Sequence, residues 1–450
     1  MRAFLLVLLT FCVPRPDARA EIAFRVTRPE EGELLTIAKG KTFVIGVVTP
    51  PTAAIECNGA RCDVSADGAF IGYAPFAAAP SPVRQGTNWC DVAFDFVLRA
   101  NGEEVARRVW AISPNSPSAA LVPEQAFDPP RTVRVLKEAW LGIRRGALGR
   151  TLFAPKDALL SAVSAGTNGW RVRLEGREEA VVPLDLAEIV DEAPGRSRAW
   201  IIEDREGMQV TARRLGGDET EISSLSSCFW GMGFAVDGLR ARILPRPMPK
   251  ALARREAAEL PLRGMRIGLD PGHHPDRGAV GPRGLEERDA NLRLAREVGR
   301  LLRAEGAEVV FTREEEALPL RERHARLREL DPEIVVSLHH NSVGDNADPR
   351  AKHGTQTFWY HPWSKDLAEK IHAAMLRALG SADLGCHRRD LYLPRYPGCP
   401  TVLLEPEYLI LPEMEAAFLD AARRAKLAAA IVEGMRTFAA TRRGMAESAF

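Results

Sequence analysis

Four short stretches of this chain place chemically capable residues where apolar runs end. "RIGLDPGHH" (266–274) carries a strand-like pattern through Asp270 and a Pro-Gly break into His273 and His274. A Pro-Gly pair stops a strand sharply, so the next side chains are presented at its end. "EIVVSLHH" (333–340) repeats the pattern with His339 and His340, and "PTVLLE" (400–405) finishes on Glu405. A carboxylate there is costly unless it is paired, exposed or used. "GPRGLEERDANL" (281–292) adds Glu286 and Glu287, just ahead of Asp289, a residue type suited to an N-cap. Strands pointing the same way in one parallel sheet bring their ends together. His273, His339, Glu405 and one or both of Glu286 and Glu287 can therefore share a rim. Two imidazoles and a carboxylate, with a further carboxylate beside them, suit a zinc hydrolase: three N/O ligands, an open position and a separate base. No HExxH occurs, which excludes a site built on one helix in that way.

All nine histidines lie between 273 and 387. His324 and His372 fall within helical patterns, and with His361 and His387 they read as surface or satisfied core residues. His274, His340 and Glu407 are placed at the rim, as accessory substrate contacts or simply exposed groups. Asp270 is placed behind a metal ligand, in a position to orient it.

The elements needed to hold this rim are legible after Gly264. "MRIGLD", "AEVVFTR", "EIVVSLHHN", "TQTFWYH" and "TVLLE" read as strands, and "ANLRLAREVGRLLRAEG", "PLRERHARLREL" and "SKDLAEKIHAAMLRALG" as helices. Such alternation predicts a C-terminal α/β layered domain over 264–440, with a largely parallel twisted sheet flanked by helices and a tail at 441–450. In such sheets ligands gather beyond the carboxyl ends of the strands. The earlier chain has no such rhythm and reads as all-β units: a β-sandwich of immunoglobulin type at 21–112, a linker at 113–130, a β domain at 131–193, a small β-rich unit at 194–244 and a linker at 245–263. The 131–193 unit loosely resembles a bacterial SH3-like wall-binding module.

The last domain resembles the zinc-dependent N-acetylmuramoyl-L-alanine amidases of the type 3 catalytic family, which cut the glycan–peptide link of peptidoglycan. "LDPGH", "GPRGLEERDANLRLA", "VVSLHHN" and "GCHRRDLYLPRYPGCPTVLLE" resemble four family motifs in order, with Arg288 in place of the family's lysine. The resemblance selects Glu287 over Glu286. It implies a zinc ion on His273, Glu287 and His339, Glu405 as the catalytic carboxylate and Arg395 as an active-site arginine. It also implies peptidoglycan as substrate. The segment 342–354 is too short for the long helical plug that some members carry, so activity without an activator is expected. Alternatives are a zinc metallo-carboxypeptidase or peptide amidase of related architecture, and a non-catalytic wall-binding protein.

The net charge of +1, with 27% charged and 46% hydrophobic residues, shows no basic excess of the kind nucleic-acid binding requires. "MRAFLLVLLTFCVPRPDARA" (1–20) has the basic start, short apolar run and small-x-small end of a secretory signal peptide. Export to the periplasm, cell wall or exterior follows, with no membrane span and with the N-terminal β units holding the wall or a protein partner. Cys57, Cys62, Cys90, Cys228, Cys386 and Cys399 remain in the mature chain. An oxidising compartment permits a Cys386–Cys399 bond, and one of Cys57 with Cys62 or Cys90.

Overall fold

The computed structural model describes residues 23–30, 41–78, 92–112 and 125–247, apart from Phe76 and short stretches within the last of these, and 260–448 apart from Asn346 and Lys352. The expected leader, Cys90, Cys228 and most of both expected linkers lie outside the described residues. From Ala23 to Pro247 the described elements are strands, with one 3₁₀ turn at Leu184–Leu186. Ala23–Arg28, Lys41–Thr49, Asp63–Val64 and Ala69–Pro75 form a four-stranded sheet. It shares a core with a five-stranded sheet that includes Ala54–Cys57, Val92–Ala100 and Glu103–Ile112. Phe94, Phe96 and Leu98, two residues apart, meet Val26, Val44 and Phe70 in that core. This is the single-face burial that strand alternation produces.

Two boundaries differ from the sequence reading. Gln125–Val135 is already a strand, so residues 125–130 belong to a ladder and not to a linker. Pro129 and Pro130 suggested a linker, yet they fall in a register shift between Ala126 and Arg131, where a missing N–H is tolerated. The units expected at 131–193 and 194–244 are also joined. Arg150–Ala154 pairs with Trp200–Arg205, and strands of both stretches run through one ten-stranded sheet.

The C-terminal domain runs β1 (Arg266–Pro271), α1 (Glu287–Ala304), β2 (Glu308–Phe311), α2 (Arg323–Leu330), β3 (Ile334–Leu338), β4 (Thr355–Trp359), α3 (Pro362–Leu379), β5 (Asp383–Arg388), β6 (Thr401–Glu405), α4 (Pro412–Leu419) and α5 (Ala421–Ser448). Helix α5 thus runs through most of the expected tail. The sheet order is β2-β1-β3-β6-β4-β5. It is mixed: β1, β2, β3 and β6 are parallel, while β4 is antiparallel to β6 and parallel to β5. Strand β5 was not expected, because its "DLGCHR" pattern is only half-buried and shows no clean alternation.

Leu294, Val298 and Leu302 of α1, Leu367, Ile371 and Met375 of α3, and Ile431, Met435 and Phe438 of α5 cover one face of this sheet. Leu327 of α2 packs with Val335, Leu393, Tyr396 and Cys399 in a separate cluster. Ile334, Val336 and Leu338 belong to the first cluster and Val335 to the second, the alternation of a strand buried on both faces. Cys386 packs against the first cluster and Cys399 lies within the second. Among the described residues no disulfide joins Cys386 to Cys399 or Cys57 to Cys62, and the Cys57–Cys90 alternative lies outside them.

The N-terminal sheet does more than cover its own core. Phe43, Ile45 and Ile71 turn outward against Ala279, Tyr408, Ile410 and Leu411 of the C-terminal domain. Strand Lys41–Thr49 is consequently buried on both faces. Arg28–Asp345, Arg277–Glu30 and Arg350–Asp63, each at 2.5 Å, border the contact. The two exposed pairs, Arg277–Glu30 and Arg350–Asp63, contribute about 1 kcal/mol or less each. The apolar patch is the main adhesive.

Candidate metal centre

The parallel ladder carries its register past the strand ends and so fixes where the site residues emerge. Gly272 N–H donates to Leu338 O at 2.9 Å, and His339 N–H donates to Leu404 O at 3.0 Å. His273, His339 and Glu405 therefore leave β1, β3 and β6 at one edge. Glu287 opens α1, and its N–H donates to Ala279 O at 2.7 Å. The N-cap is Glu286, not Asp289, and it has no side-chain cap bond. That one-turn-earlier start puts Glu287 against the strand ends.

Three of the expected residues converge. His273 Nε2 lies 2.9 Å from Glu287 Oε1, and His339 Nδ1 lies 3.1 Å from the same oxygen. Their rings are 4.9 Å apart and steeply inclined. One ligand atom from each of the three residues lies within 4.8 Å of the others. Glu287 is buried, and protein donors hold both its oxygens: His340 N–H at 3.0 Å and Asn291 Nδ2 at 3.3 Å on Oε1, Ala279 N–H at 2.8 Å on Oε2. Burial opposes its ionisation, but bonding to His273 and His339 outweighs burial and holds the carboxyl well below its usual range. For His273, burial likewise disfavours charge, while Glu287 and then Asp276 raise its pKa overall.

Two nitrogens and one carboxylate oxygen are a donor set that zinc accepts. The backbone leaves room for such an ion. A Cβ on Gly278, which sits at φ +65°, would stand 2.5 Å from Glu287 Oε2 and 2.7 Å from His273 Cδ2. A Cβ on Gly272 would meet His339 Cε1 at 2.2 Å. Any larger residue at either position would fill the cradle. The residues present fit a divalent metal.

Glu405 completes the rim from the end of β6. The residue is partly buried, but its Oε2 is enclosed and has no hydrogen-bond partner among the described residues. Burial, then the neighbouring Glu287 charge, raises its carboxyl well above the usual range. An enclosed carboxyl that favours a proton can serve in proton transfer.

Asp276 belongs with these residues, and the sequence reading missed it. Its Oδ1 lies 2.5 Å from His273 Nδ1, which leaves Nε2 turned to Glu287. A carboxylate behind a ligating imidazole fixes its tautomer and ring angle. The available signal was an Asp three residues after the first histidine. We expect Asp276→Ala to weaken metal affinity about 10–100-fold, the usual effect of losing such a partner. Titration against a chelator of known affinity checks this.

Comparison with known proteins fits this geometry. A family model described as N-acetylmuramoyl-L-alanine amidase matches residues 267–437. The chain is 31% identical over 180 residues to N-acetylmuramoyl-L-alanine amidase LytC of Bacillus subtilis, covering 39% of this chain and 35% of LytC. It is 30% identical over 182 residues to the probable cell wall amidase LytH of Staphylococcus aureus, covering 40% of this chain and 60% of LytH. The C-terminal domain belongs to the N-acetylmuramoyl-L-alanine amidase family. Among solved structures, the catalytic domain of CwlV from Bacillus (Paenibacillus) polymyxa var. colistinus is 31% identical, with 39% of this chain and 97% of that chain covered and a TM-score of 0.36. The chain thus spans 35% and 60% of the two curated relatives.

Several rim expectations change in this amidase domain. His340 is buried, not exposed: its Nδ1 lies 2.8 Å from Asn291 Oδ1 and its ring meets Phe418 edge-on at 4.6 Å. Burial pushes its pKa down to about 4, so it is neutral near pH 7. Glu407 is buried too and pairs with Arg423 at 2.7 Å. His274 stays partly exposed, with Nε2 3.2 Å from Glu315 O. The Asp270 carboxylate is taken up by Arg323 at 2.8 Å, Thr312 Oγ1 at 2.6 Å and Ser337 Oγ at 2.7 Å. It braces α2 against the strands and makes no hydrogen bond to a ligand. Glu286 faces Arg277 and Arg288, at 2.7 and 2.6 Å.

Arg395 contacts a different part of the molecule. Its Nη1 donates to Trp140 O at 3.0 Å, and its Nε faces Asp390 at 2.8 Å. Its guanidinium also lies over the Tyr392 ring. These contacts tie it to the β region, whose Thr151 hydroxyl meets the Tyr360 hydroxyl at 2.7 Å.

Proposed function

We propose that this chain is an exported zinc-dependent N-acetylmuramoyl-L-alanine amidase that hydrolyses the amide between the N-acetylmuramic acid lactyl group and L-alanine in peptidoglycan. The observation that carries this reading is the convergence of His273, Glu287 and His339, with the enclosed Glu405 carboxyl beside Glu287. The family match to 267–437 supports the substrate class. Among the described residues no helix is long and apolar enough to cross a membrane.

A zinc ion held by His273, Glu287 and His339 would acidify water and polarise the scissile carbonyl. Glu405 takes a proton from the attacking water and delivers it to the leaving L-alanine amine, so the C–N bond breaks without expelling an amide anion. Asp276 keeps His273 in one tautomer, while Asn291 and the His340 N–H keep Glu287 turned inward. Arg395 is given no step, because its contacts are with Trp140, Asp390 and Tyr392.

Digestion of purified peptidoglycan by the full mature chain, with no other protein added, tests both the bond and the need for an activator. The expected products are stem peptides with a free L-alanine amine and peptide-free glycan strands, identified by mass. Cleavage within the peptide would favour the carboxypeptidase reading. Strict dependence on an added protein would show that the short 342–354 segment is not the relevant control.

A further inference from the structure

A cleft of about 1080 Å³ lies between the β region and the amidase domain, away from the ligand cluster just described. One wall includes Leu136, Lys137, Trp140 and Lys156, the other Leu320, Arg321, Arg328 and Asp390. Its volume is at the upper end of the range for ligand sites, and junctions between domains are where such sites often form.

The lining has a definite chemistry. Lys137, Lys156, Arg321, Arg328 and Arg395 face Asp185, Glu322 and Asp390, five cations against three carboxylates, in a chain whose whole net charge is +1. Two of those carboxylates already have arginine partners: Asp185 with Arg321, and Asp390 with Arg395. Lys137 and Lys156 are exposed and have no carboxylate within ion-pair distance among the described residues. Apolar surface lies beside the charge. Leu136 and Leu320, 38% and 53% exposed, line the cleft with Trp140, although large side chains this exposed are few in the described structure.

The cleft also communicates with the metal centre. Glu322 and His324 line it, and between them Arg323 donates to Asp270 and to the carbonyls of Pro271 and His273. A ligand seated against α2 therefore touches the element that holds the first ligand loop.

We propose that this cleft binds an acidic peptide, the carboxylate-bearing stem of peptidoglycan, at a site separate from the scissile bond. The proposal rests on the amidase reading for its choice of peptide. Lys137 and Lys156, which have no carboxylate partner among the described residues, supply partners for stem carboxylates, and the exposed Leu136 and Leu320 supply a surface for alanine methyl groups. A wall phosphate polymer would use the charge but leave the apolar wall uncovered.

The test uses the full chain carrying Glu405→Gln, so that the wall is not digested, and peptidoglycan stripped of phosphate polymers by acid. Binding is measured by co-sedimentation. Lys137→Glu with Lys156→Glu is expected to weaken binding about tenfold, the sum of two exposed ion-pair contributions. Converting the peptide carboxylates to amides is expected to weaken binding by the unreversed protein to a similar extent, and to make little further difference to the reversed one. Both lysines are exposed, so loss of folding does not confound the variant. Binding unchanged by charge reversal, equally strong on amidated wall, or present only while phosphate polymers remain would overturn the proposal. The amidase reading stands or falls separately. Carboxylate-dependent binding in a chain whose Glu405 form releases no stem peptide would leave the cleft and remove the activity, and the reverse outcome would do the opposite.

Discussion

Glu405→Gln is expected to retain about one zinc per chain and to lose on the order of 10²–10⁴ in turnover, the contribution of a positioned acid–base group. The amide has the size of the carboxyl, so packing at the end of β6 is preserved. Only the ability to accept and return a proton is lost. The Glu405 Oε2 makes no hydrogen bond among the described residues, so the swap breaks none at that atom. Folding stability should therefore change little. Metal analysis beside peptidoglycan turnover decides the matter. A zinc-free variant, or one of full activity, would mean that the roles of Glu405 and the ligands have been exchanged.

Glu287→Ala is expected to remove metal and activity together. It deletes one of three protein donors, and it leaves Ala279 N–H, His340 N–H and the Asn291 amide without their carboxylate acceptor. Each such buried orphan costs about 1–3 kcal/mol, so a lower denaturation midpoint should accompany the loss. Glu286→Ala, one residue away, is the control. That side chain is partly buried and faces the guanidinium groups of Arg277 and Arg288, not the two histidines. Metal content and turnover should both survive. Loss of zinc in the Glu286 variant with retention in the Glu287 variant would reverse the ligand assignment.

The two residues differ by one position, and strand-end spacing alone leaves both open. The family motif selects Glu287, and the fold supplies the reason. Because α1 begins at Glu287, that side chain turns toward His273 and His339, while Glu286 remains in the extended entry. A start at Asp289 would have left both glutamates in the approaching loop.

What the sequence determined by itself was which strand ends carry chemistry. Apolar runs that stop at His273, His339 and Glu405 encode strand, terminus and polar residue in adjacent positions, and a parallel sheet can bring such termini together. The end of α1 was equally local, since Gly306 adopts φ +82° beyond the last turn. The tertiary structure decided which side chains near those ends are buried. His340 turns inward because Phe418 of α4 and Asn291 of α1 close over it, and Glu407 does so because Arg423 of α5 reaches it. Those partners lie 78, 49 and 16 residues away, beyond any strand or helix period. The same holds for Arg395, whose motif position suggested catalysis but whose guanidinium meets Trp140, 255 residues earlier. Lys41–Thr49 makes the point for a whole strand. Its alternation specifies one buried face, and the second is buried only because the amidase domain packs Tyr408, Ile410 and Leu411 against it. Local pattern sets where a side chain emerges; burial depends on what distant chain arrives to cover it.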